Sequence, residues 1–250
     1  MFRKELSRVY ELRDQIEEPG SPSAFFQNLD DSLRVLPSKM RRFRALENDL
    51  QGFDLDSWEF FKKEALPYLT TRDETRGWQQ LVCMLNQAPA YNYLKRIGCS
   101  TIRFVPPSSR AGVKTPDLQG VLDSTKVLCE VKTINISDKE ATARHTGTGR
   151  ETKAQLEQGF FNKLMSHLTQ AKEQLEARDA GKEARRIAYI IINFDDFLAE
   201  YKEEYFQQID QYLSNNTVLG IEIVFHNQVT CFHKTITMKS ATVFNPDVLG

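Results

Sequence analysis

The sequence lacks the features that mark secreted, zinc-binding and membrane-spanning proteins. Its four cysteines are widely separated, and none forms a CxxC pair or lies at zinc-ligand spacing from a histidine. No window approaches about 18 uncharged apolar residues, and the segment MFRKELSRVYELRDQ has no apolar stretch of the kind found in signal peptides. We therefore expect buried free thiols, a reducing compartment and a cytoplasmic location, with no membrane partner.

The chain also has almost no net charge. Its 33 Lys and Arg side chains oppose 34 Asp and Glu side chains, which leaves a formal net charge of -1 at pH 7. No overall field attracts a polyanion, so a nucleic-acid partner would need a local basic surface. Two polar segments could supply its cations: Arg103, Arg110 and Lys114 in one, and Arg144, Arg150 and Lys153 in the other.

Apolar residues recur at helical spacing through the first seventy or so residues. Pro37-Ser38 can open one helix, and Ser57 can cap another that carries Trp58 and Phe61. The pattern predicts an all-helical N-terminal region over residues 1–70. We expect this region either to recognise a substrate or to mediate assembly, which leaves a homodimer open.

The pattern changes in the rest of the chain, residues 71–250. A broken helix is predicted over 73–97, followed by three strands, a long helix, a buried strand, a further helix and two strands. Strands that alternate with helices in this way predict an α/β domain with a mixed central sheet flanked by helices.

Charged residues interrupt an otherwise apolar hairpin, TPDLQGVLDSTKVLCEVK, at residues 115–132. Because side chains alternate faces along a strand, Glu130 and Lys132 project to the same side. Antiparallel pairing around the turn at 123–125 would bring Asp117 near Glu130 or Val131. Two carboxylates held close together suit Mg²⁺ or Mn²⁺, and such an ion can stabilise a phosphodiester under attack.

The same residues resemble a known motif. Thr115-Pro116-Asp117, followed after thirteen positions by Glu130-Val131-Lys132, is similar to the PD-(D/E)xK motif of the restriction-endonuclease-like nuclease superfamily. Members share a core of helix, three-stranded meander, helix and further strand. The resemblance covers roughly residues 73–200 and implies a restriction-endonuclease-like core in the α/β domain.

The resemblance implies a role for each residue of the motif. Asp117 and Glu130 would be metal ligands, and the carbonyl group of Val131 would be a third ligand. Lys132 would orient the attacking water. The implied activity is that of a Mg²⁺- or Mn²⁺-dependent nuclease that hydrolyses phosphodiester bonds, with DNA as the expected substrate.

Further residues enter by the same resemblance. Members often add an acid from the helix before the meander; Glu74 is the candidate here, and Glu64 is the alternative. They also often carry polar residues on the helix that follows the third strand. A polar stripe at that place contains Lys163, His167, Gln170 and Gln174, from which Lys163 and Gln170 are assigned a supporting role.

Three other interpretations are kept open. The fold could serve as a non-catalytic module that binds nucleic acid or a protein partner. The helical region could be an interaction scaffold whose α/β portion is only structural. Finally, the charges of the hairpin could lie on a solvated edge strand, where such a pair contributes only about 0.2 to 1 kcal/mol.

Overall fold

The change of period near residue 98 marks a boundary in the computed structural model of the protein. Contacts within the chain divide it into two units, Met1–Gly98 and Cys99–Gly250. The expected domain boundary at residue 70 stays a prediction. The structure describes residues 2–21, 24–74, 77–108, 114–135, 154–179, 181, 183–192, 201–216, 218, 220–227 and 232–236.

The first unit consists of helices joined by turns, as the helical spacing of its apolar residues predicts. Its core contains fully buried side chains such as Leu6, Leu50, Phe61 and Leu94. The elements are a 3-10 turn at Phe2–Lys4, α1 (Ser7–Arg13), α2 (Leu29–Val35), α3 (Pro37–Gln51), α4 (Leu55–Ala65), a 3-10 turn at Leu66–Tyr68, α5 (Gln79–Leu85) and α6 (Gln87–Arg96).

One helix start differs from the prediction. Ser57 does not cap α4, because the helix begins at Leu55 and its cap is Asp54. The Asp54 side chain accepts a hydrogen bond of 2.8 Å from the Ser57 N–H, and its extended backbone (ψ 174°) is typical of a capping residue. The helix over 73–97 was predicted to break at Pro89, but the break falls at Asn86. Pro89 lies in the first turn of α6, where a missing N–H costs nothing.

The second unit contains one mixed sheet. In the described part of the chain, six strands lie in the order β1-β2-β3-β4-β5-β6. The first three form an antiparallel meander, β3, β4 and β5 are parallel, and β6 returns antiparallel to β5. The predicted α/β fold with a mixed sheet is confirmed. The elements are β1 (Ser100–Phe104), β2 (Leu118–Leu122), β3 (Thr125–Ile134), α7 (Gln158–Arg178), β4 (Arg185–Ile192), α8 (Lys202–Asn215), β5 (Glu222–Asn227) and β6 (Phe232–Ile236).

A tight turn fixes the register between β2 and β3. Asp123 and Ser124 have φ angles of 47° and 68°, and Leu122 pairs with Thr125 on either side of them. Two consecutive residues with positive φ form the kind of turn that matches the twist of a hairpin. The hairpin was therefore predicted correctly, and its register places Leu118 opposite Cys129.

Helices α7 and α8 pack on the same face of the sheet. Leu128 and Ile134 of β3 share one core with Ala188, Ile190 and Ile192 of β4 and with the apolar stripes of both helices. These residues alternate along each strand, as the pleat of a sheet requires. The positions between Leu128 and Ile134 on this face of β3 belong to Glu130 and Lys132.

Other expectations have mixed outcomes. Cys83, Cys99 and Cys129 are free, and the last two are buried while Cys83 is half-buried. Cys231 and the polar segment at 137–152 lie outside the described residues. Among the helices of the described chain, none has the length and apolar character needed to cross a membrane.

Candidate functional site

Asp117 lies just before β2, where β3 continues beside β4 but without a partner on β2. The pairing of the two strands starts at Leu118 opposite Cys129, so residues 130–134 of β3 extend beyond the end of β2. Asp117 Oδ2 accepts a hydrogen bond of 2.8 Å from the N–H of Val131. This contact brings the carboxyl group of Asp117 to the part of β3 that has no partner on β2 and pairs with β4 alone.

Glu130 and Lys132 occupy a buried, apolar part of the sheet. Their neighbours on β4 are Ala188 and Ile190, both fully buried. Glu130 is itself only 2% exposed, and its Oε1 accepts a hydrogen bond of 2.7 Å from Lys132 Nζ. The other oxygen, Oε2, is buried and has no hydrogen-bond partner among the described residues. An orphan carboxyl oxygen in such a place is costly.

The electrostatics of the carboxyl pair follow from this burial. Burial raises the pKa of Glu130 to about 8; the negative charge of Asp117 adds to the effect, while Lys132 opposes it. Burial also raises the pKa of Asp117, against the N–H of Val131 and the charge of Lys132. Two acids that share one ammonium group cannot both ionise easily. Additional positive charge would stabilise the ionised forms of both.

Gln174 of α7 joins the two ends of the site. Its Oε1 accepts a hydrogen bond of 2.8 Å from Lys132 Nζ, and its Nε2 donates one of 3.2 Å to the carbonyl of Thr115. The side-chain amide therefore fixes the Lys132 ammonium group and the chain two residues before Asp117. Gln174 belongs to the predicted polar stripe of this helix but was not among the residues predicted to support the site. Helical spacing could not separate it from Gln170 in the same stripe.

The two residues chosen from that stripe lie elsewhere. Lys163 Nζ donates a hydrogen bond of 3.3 Å to the carbonyl of Asn135, just after the end of β3. Gln170 is exposed, and its amide donates to Ser166 Oγ on its own helix. Between them, both ring nitrogens of His167 are buried without a partner among the described residues. Burial and the charges of Lys163 and Lys132 lower the pKa of His167 to about 4, which keeps the ring neutral near pH 7.

Glu74, the candidate third acid, is exposed and lies in a turn. Helix α5 begins only at Gln79, so Glu74 precedes the helix on which it was expected. Neither α5 nor α6 contains an Asp or a Glu. These two helices therefore contain no carboxylate, and the alternative, Glu64, lies on α4.

The remaining donors suit a hard divalent cation. Asp117 and Glu130 offer carboxylate oxygens, and the Val131 carbonyl points to the same edge of β3 as its N–H, toward Asp117. No group of three or more acidic, His or Cys ligands occurs among the described residues. Mg²⁺ commonly binds through one or two carboxylates and completes its octahedron with water and substrate phosphate. The buried, unpartnered Oε2 of Glu130 is the oxygen that such an ion would satisfy.

The chain matches no protein-family model, no curated protein and no solved structure. The assignment of a function therefore depends on the chemistry of the side chains. A common fold would in any case leave the activity open, because one fold supports many reactions.

Proposed function

We propose that the protein is a divalent-metal-dependent nuclease that hydrolyses phosphodiester bonds, with Mg²⁺ or Mn²⁺ as the metal and DNA as the expected substrate. The observation that carries the proposal is the buried cluster of Asp117, Glu130 and Lys132. Two carboxyl groups and an ammonium group lie together on a face that is otherwise apolar, and one carboxyl oxygen has no partner among the described residues. A solvated edge strand does not have this environment.

The order of the elements supports a restriction-endonuclease-like core. The PD-(D/E)xK resemblance implies a helix, a three-stranded meander, a second helix and a further strand. The chain has α6, then β1 to β3, then α7, then β4 parallel to β3. Asp117 stands just before the second strand of the meander, and Glu130 and Lys132 stand on its third strand, as the motif requires.

Each residue of the cluster has a separate part in this proposal. Asp117, Glu130 and the Val131 carbonyl would hold the metal ion, which supplies Lewis-acid stabilisation of the phosphate and a more acidic bound water. The Lys132 ammonium group has three donors, of which Glu130 and Gln174 each accept one. A third donor can orient the attacking water or neutralise charge that develops on the phosphate.

Burial strengthens the electrostatic interactions of Glu130 and Lys132. Glu130 and Lys132 have side chains only 3% and 17% exposed, so water screens their charges weakly. Gln174 holds the ammonium group in place before substrate arrives, and a preorganised donor needs no rearrangement during the reaction. Lys163 and Gln170 remain candidates for contacts to the nucleic acid, because both lie on the same stripe of α7.

A cleavage assay tests the proposal directly. The full chain is incubated with single- and double-stranded DNA and RNA in Mg²⁺ or Mn²⁺, beside Asp117→Asn. We expect cleavage to fall by about 100-fold or more in the variant, because Lewis-acid stabilisation contributes several kcal/mol. Asp123→Asn at the other end of the hairpin is the matched control, since Asn is also favoured at a turn residue with positive φ. Equal activity of Asp117→Asn and wild type would refute the proposal.

A second function is favoured by one observation. Because α5 and α6 carry no acid, the protein could be a non-catalytic module with a nuclease fold that binds nucleic acid or a protein partner. Calorimetric titration with Mn²⁺ at pH 8 separates the two. A nuclease should bind the ion and lose binding in Glu130→Gln, whereas a non-catalytic module should bind no metal in either form.

A further inference from the structure

A cavity of about 290 Å³ lies in the first unit, where the segment before α2 meets α3 and the start of α5. This volume is near the lower end for small-molecule sites, which suits a compact ligand. Its walls combine three half-buried aromatic rings, from Phe25, Phe43 and Trp78, with two exposed cations, Lys39 and Arg72. Among the described residues, its lining includes no acidic side chain.

A closed turn sets one cation beside one ring. The N–H of Asp73 donates to the carbonyl of Gly77 at 2.8 Å, and the N–H of Gly77 donates back at 2.9 Å. Gly77 has φ +62°, in the left-handed region that glycine adopts without strain. The two bonds hold Asp73 and Gly77 together. Arg72, which precedes Asp73, and Trp78, which follows Gly77, therefore line the same cavity.

The aromatic wall retains ring surface for a ligand. Phe25 and Trp78 meet edge to face, with ring centroids 5.4 Å apart and planes at 76°. Phe25 also meets Phe26 edge to face, with centroids 4.9 Å apart, so Trp78 is the ring on which a planar base can stack. The N–H of Phe25 donates a hydrogen bond of 2.9 Å to the carbonyl of Leu69, and this bond anchors the segment that carries the Phe25 ring.

The charge of the cavity is not balanced from within the described chain. Lys39 Nζ lies 3.3 Å from Ser32 Oγ, and neither Lys39 nor Arg72 forms an ion pair with any described residue. The chain as a whole has one more acidic than basic side chain, so two cations without an acid are a local excess. Lysine and arginine together form charge-assisted hydrogen bonds with phosphate.

We propose that this cavity binds one nucleotide, with its base stacked on the aromatic wall and its phosphate held by Lys39 and Arg72. The amides of Gln27 and Asn28, which also line the cavity, offer donors and acceptors to the edge of the base. The nucleotide can be free or part of a single strand, since both present a base and a phosphate. This site is independent of the proposed nuclease, because every residue that lines it belongs to the first unit.

Calorimetry on the full chain in EDTA tests the site without the metal that cleavage would require. The ligands are adenosine 5′-monophosphate, adenosine, ribose 5-phosphate and a short single-stranded oligonucleotide. We expect saturable binding of the nucleotide, and weaker binding of the two fragments that lack its phosphate or its base. Lys39→Gln and Arg72→Gln should each weaken nucleotide binding about tenfold, as expected for loss of one charge-assisted bond. Tighter binding of the oligonucleotide identifies a strand, and equal or tighter binding of the free nucleotide identifies a free ligand; either supports the proposal.

Arg41→Gln is the matched control. Arg41 is exposed and lies on α3, the helix that carries Lys39, but it does not line the cavity. The change removes one positive charge, as Lys39→Gln does. Nucleotide binding in this variant should stay within about twofold of wild type. Trp78→Phe should keep an aromatic wall and bind, while the change in tryptophan fluorescence on binding is lost. The proposal is overturned if no ligand binds saturably, or if binding survives both Lys39→Gln and Arg72→Gln.

Discussion

Glu130 and Lys132 form an ion pair of 2.7 Å between Oε1 and Nζ, on a strand whose flanking residues on the same face are the core residues Leu128 and Ile134. Both charged groups are thus held in surroundings that favour neutral side chains. Such a pair is weak support for stability, because desolvation can exceed the Coulombic gain. Its measurable consequences concern pH, metal ions and the amide of Gln174.

The stability of the protein should fall as pH rises from about 5 to about 8. Burial raises the pKa of Glu130 to about 8 in the folded protein, from its ordinary value of 4.5 in an unfolded chain. The folded state therefore binds more protons than the unfolded state between these values, and ionisation costs free energy of folding. Glu130→Gln cannot ionise, so the difference in unfolding free energy between pH 5 and pH 8 should shrink by more than about 1.4 kcal/mol, the equivalent of one pKa unit.

Urea unfolding at several pH values checks this slope. Glu173→Gln is the control, because it makes the same change of charge at an exposed position of α7. A slope as steep in Glu130→Gln as in wild type would show that Glu130 does not titrate in this range.

Divalent metal should reverse the penalty at high pH. Metal binding displaces protons from its ligands, so Mn²⁺ should raise the unfolding temperature at pH 8 and have little effect at pH 5. At one hundred times its Kd, an ion that binds only the folded state stabilises by about 2.7 kcal/mol. Asp117→Asn and Glu130→Gln should abolish the shift, and Asp123→Asn should retain it. An equal shift in all four proteins would place the metal at another site.

Gln174→Leu should destabilise the protein by about 1 to 3 kcal/mol. The change leaves the Lys132 ammonium group and the Thr115 carbonyl without the amide that contacts both, and hydrogen bonds to charged groups are worth more than neutral ones. Gln170→Leu, one turn earlier and exposed, should stay within about 0.5 kcal/mol of wild type. Urea unfolding measures both. Similar losses in the two variants would contradict the bridging role of Gln174.

A second buried ion pair joins the end of α7 to β4. Asp179 Oδ2 accepts from Arg186 Nε at 2.9 Å and from Nη2 at 2.7 Å, and the carboxyl group also accepts from the N–H groups of Glu183 and Ala184. Burial alone would raise the pKa of Asp179, but these donors hold it below its usual value. Its stabilising contribution is therefore present above the unfolded pKa and lost as pH falls through the folded value.

Asp179→Ala should cost about 3 kcal/mol at pH 7, because the buried Arg186 guanidinium loses its bidentate partner and keeps the longer contact of 3.6 Å to Glu176 Oε1. Glu183→Gln, a neighbouring change at an exposed position, is the control and should have little effect. Urea unfolding of both variants measures the difference. A loss below about 0.5 kcal/mol in Asp179→Ala would mean that solvent replaces the carboxylate.

The meeting of Asp117, Glu130 and Lys132 could be predicted because it depends on local rules. A strand has a period of two, and the short turn at Asp123-Ser124 sets which residues of β2 and β3 face each other. Gln174 could not be predicted in the same way. Its contact with Lys132 depends on how high α7 sits above β3, and that height comes from packing between elements distant in sequence.

The first residues of two helices were also predicted incorrectly from the sequence. Asp54 and Ser57 are both residues that often cap helices, and the spacing of apolar residues alone cannot decide which of them is the N-cap of α4. Similarly, the amphipathic stripe that includes Trp78 predicted a helix that also contains Glu74. Gly77 has a positive φ, which is not helical, and α5 begins only after it. The first residue of α3 was therefore predicted correctly at Pro37, whereas those of α4 and α5 were not.

The apolar frame around the Glu130–Lys132 pair has an implication for engineering. Leucine and isoleucine at these two positions would extend the hydrocarbon surface already formed by Leu128 and Ile134, and replacing a buried charged couple with well-fitting hydrocarbon is often neutral or favourable. Because Lys132 also donates to Gln174 and faces Asp117, a thermostabilised fold would need Asp117→Asn and Gln174→Leu beside Glu130→Leu and Lys132→Ile, at the expense of whatever chemistry the natural group performs.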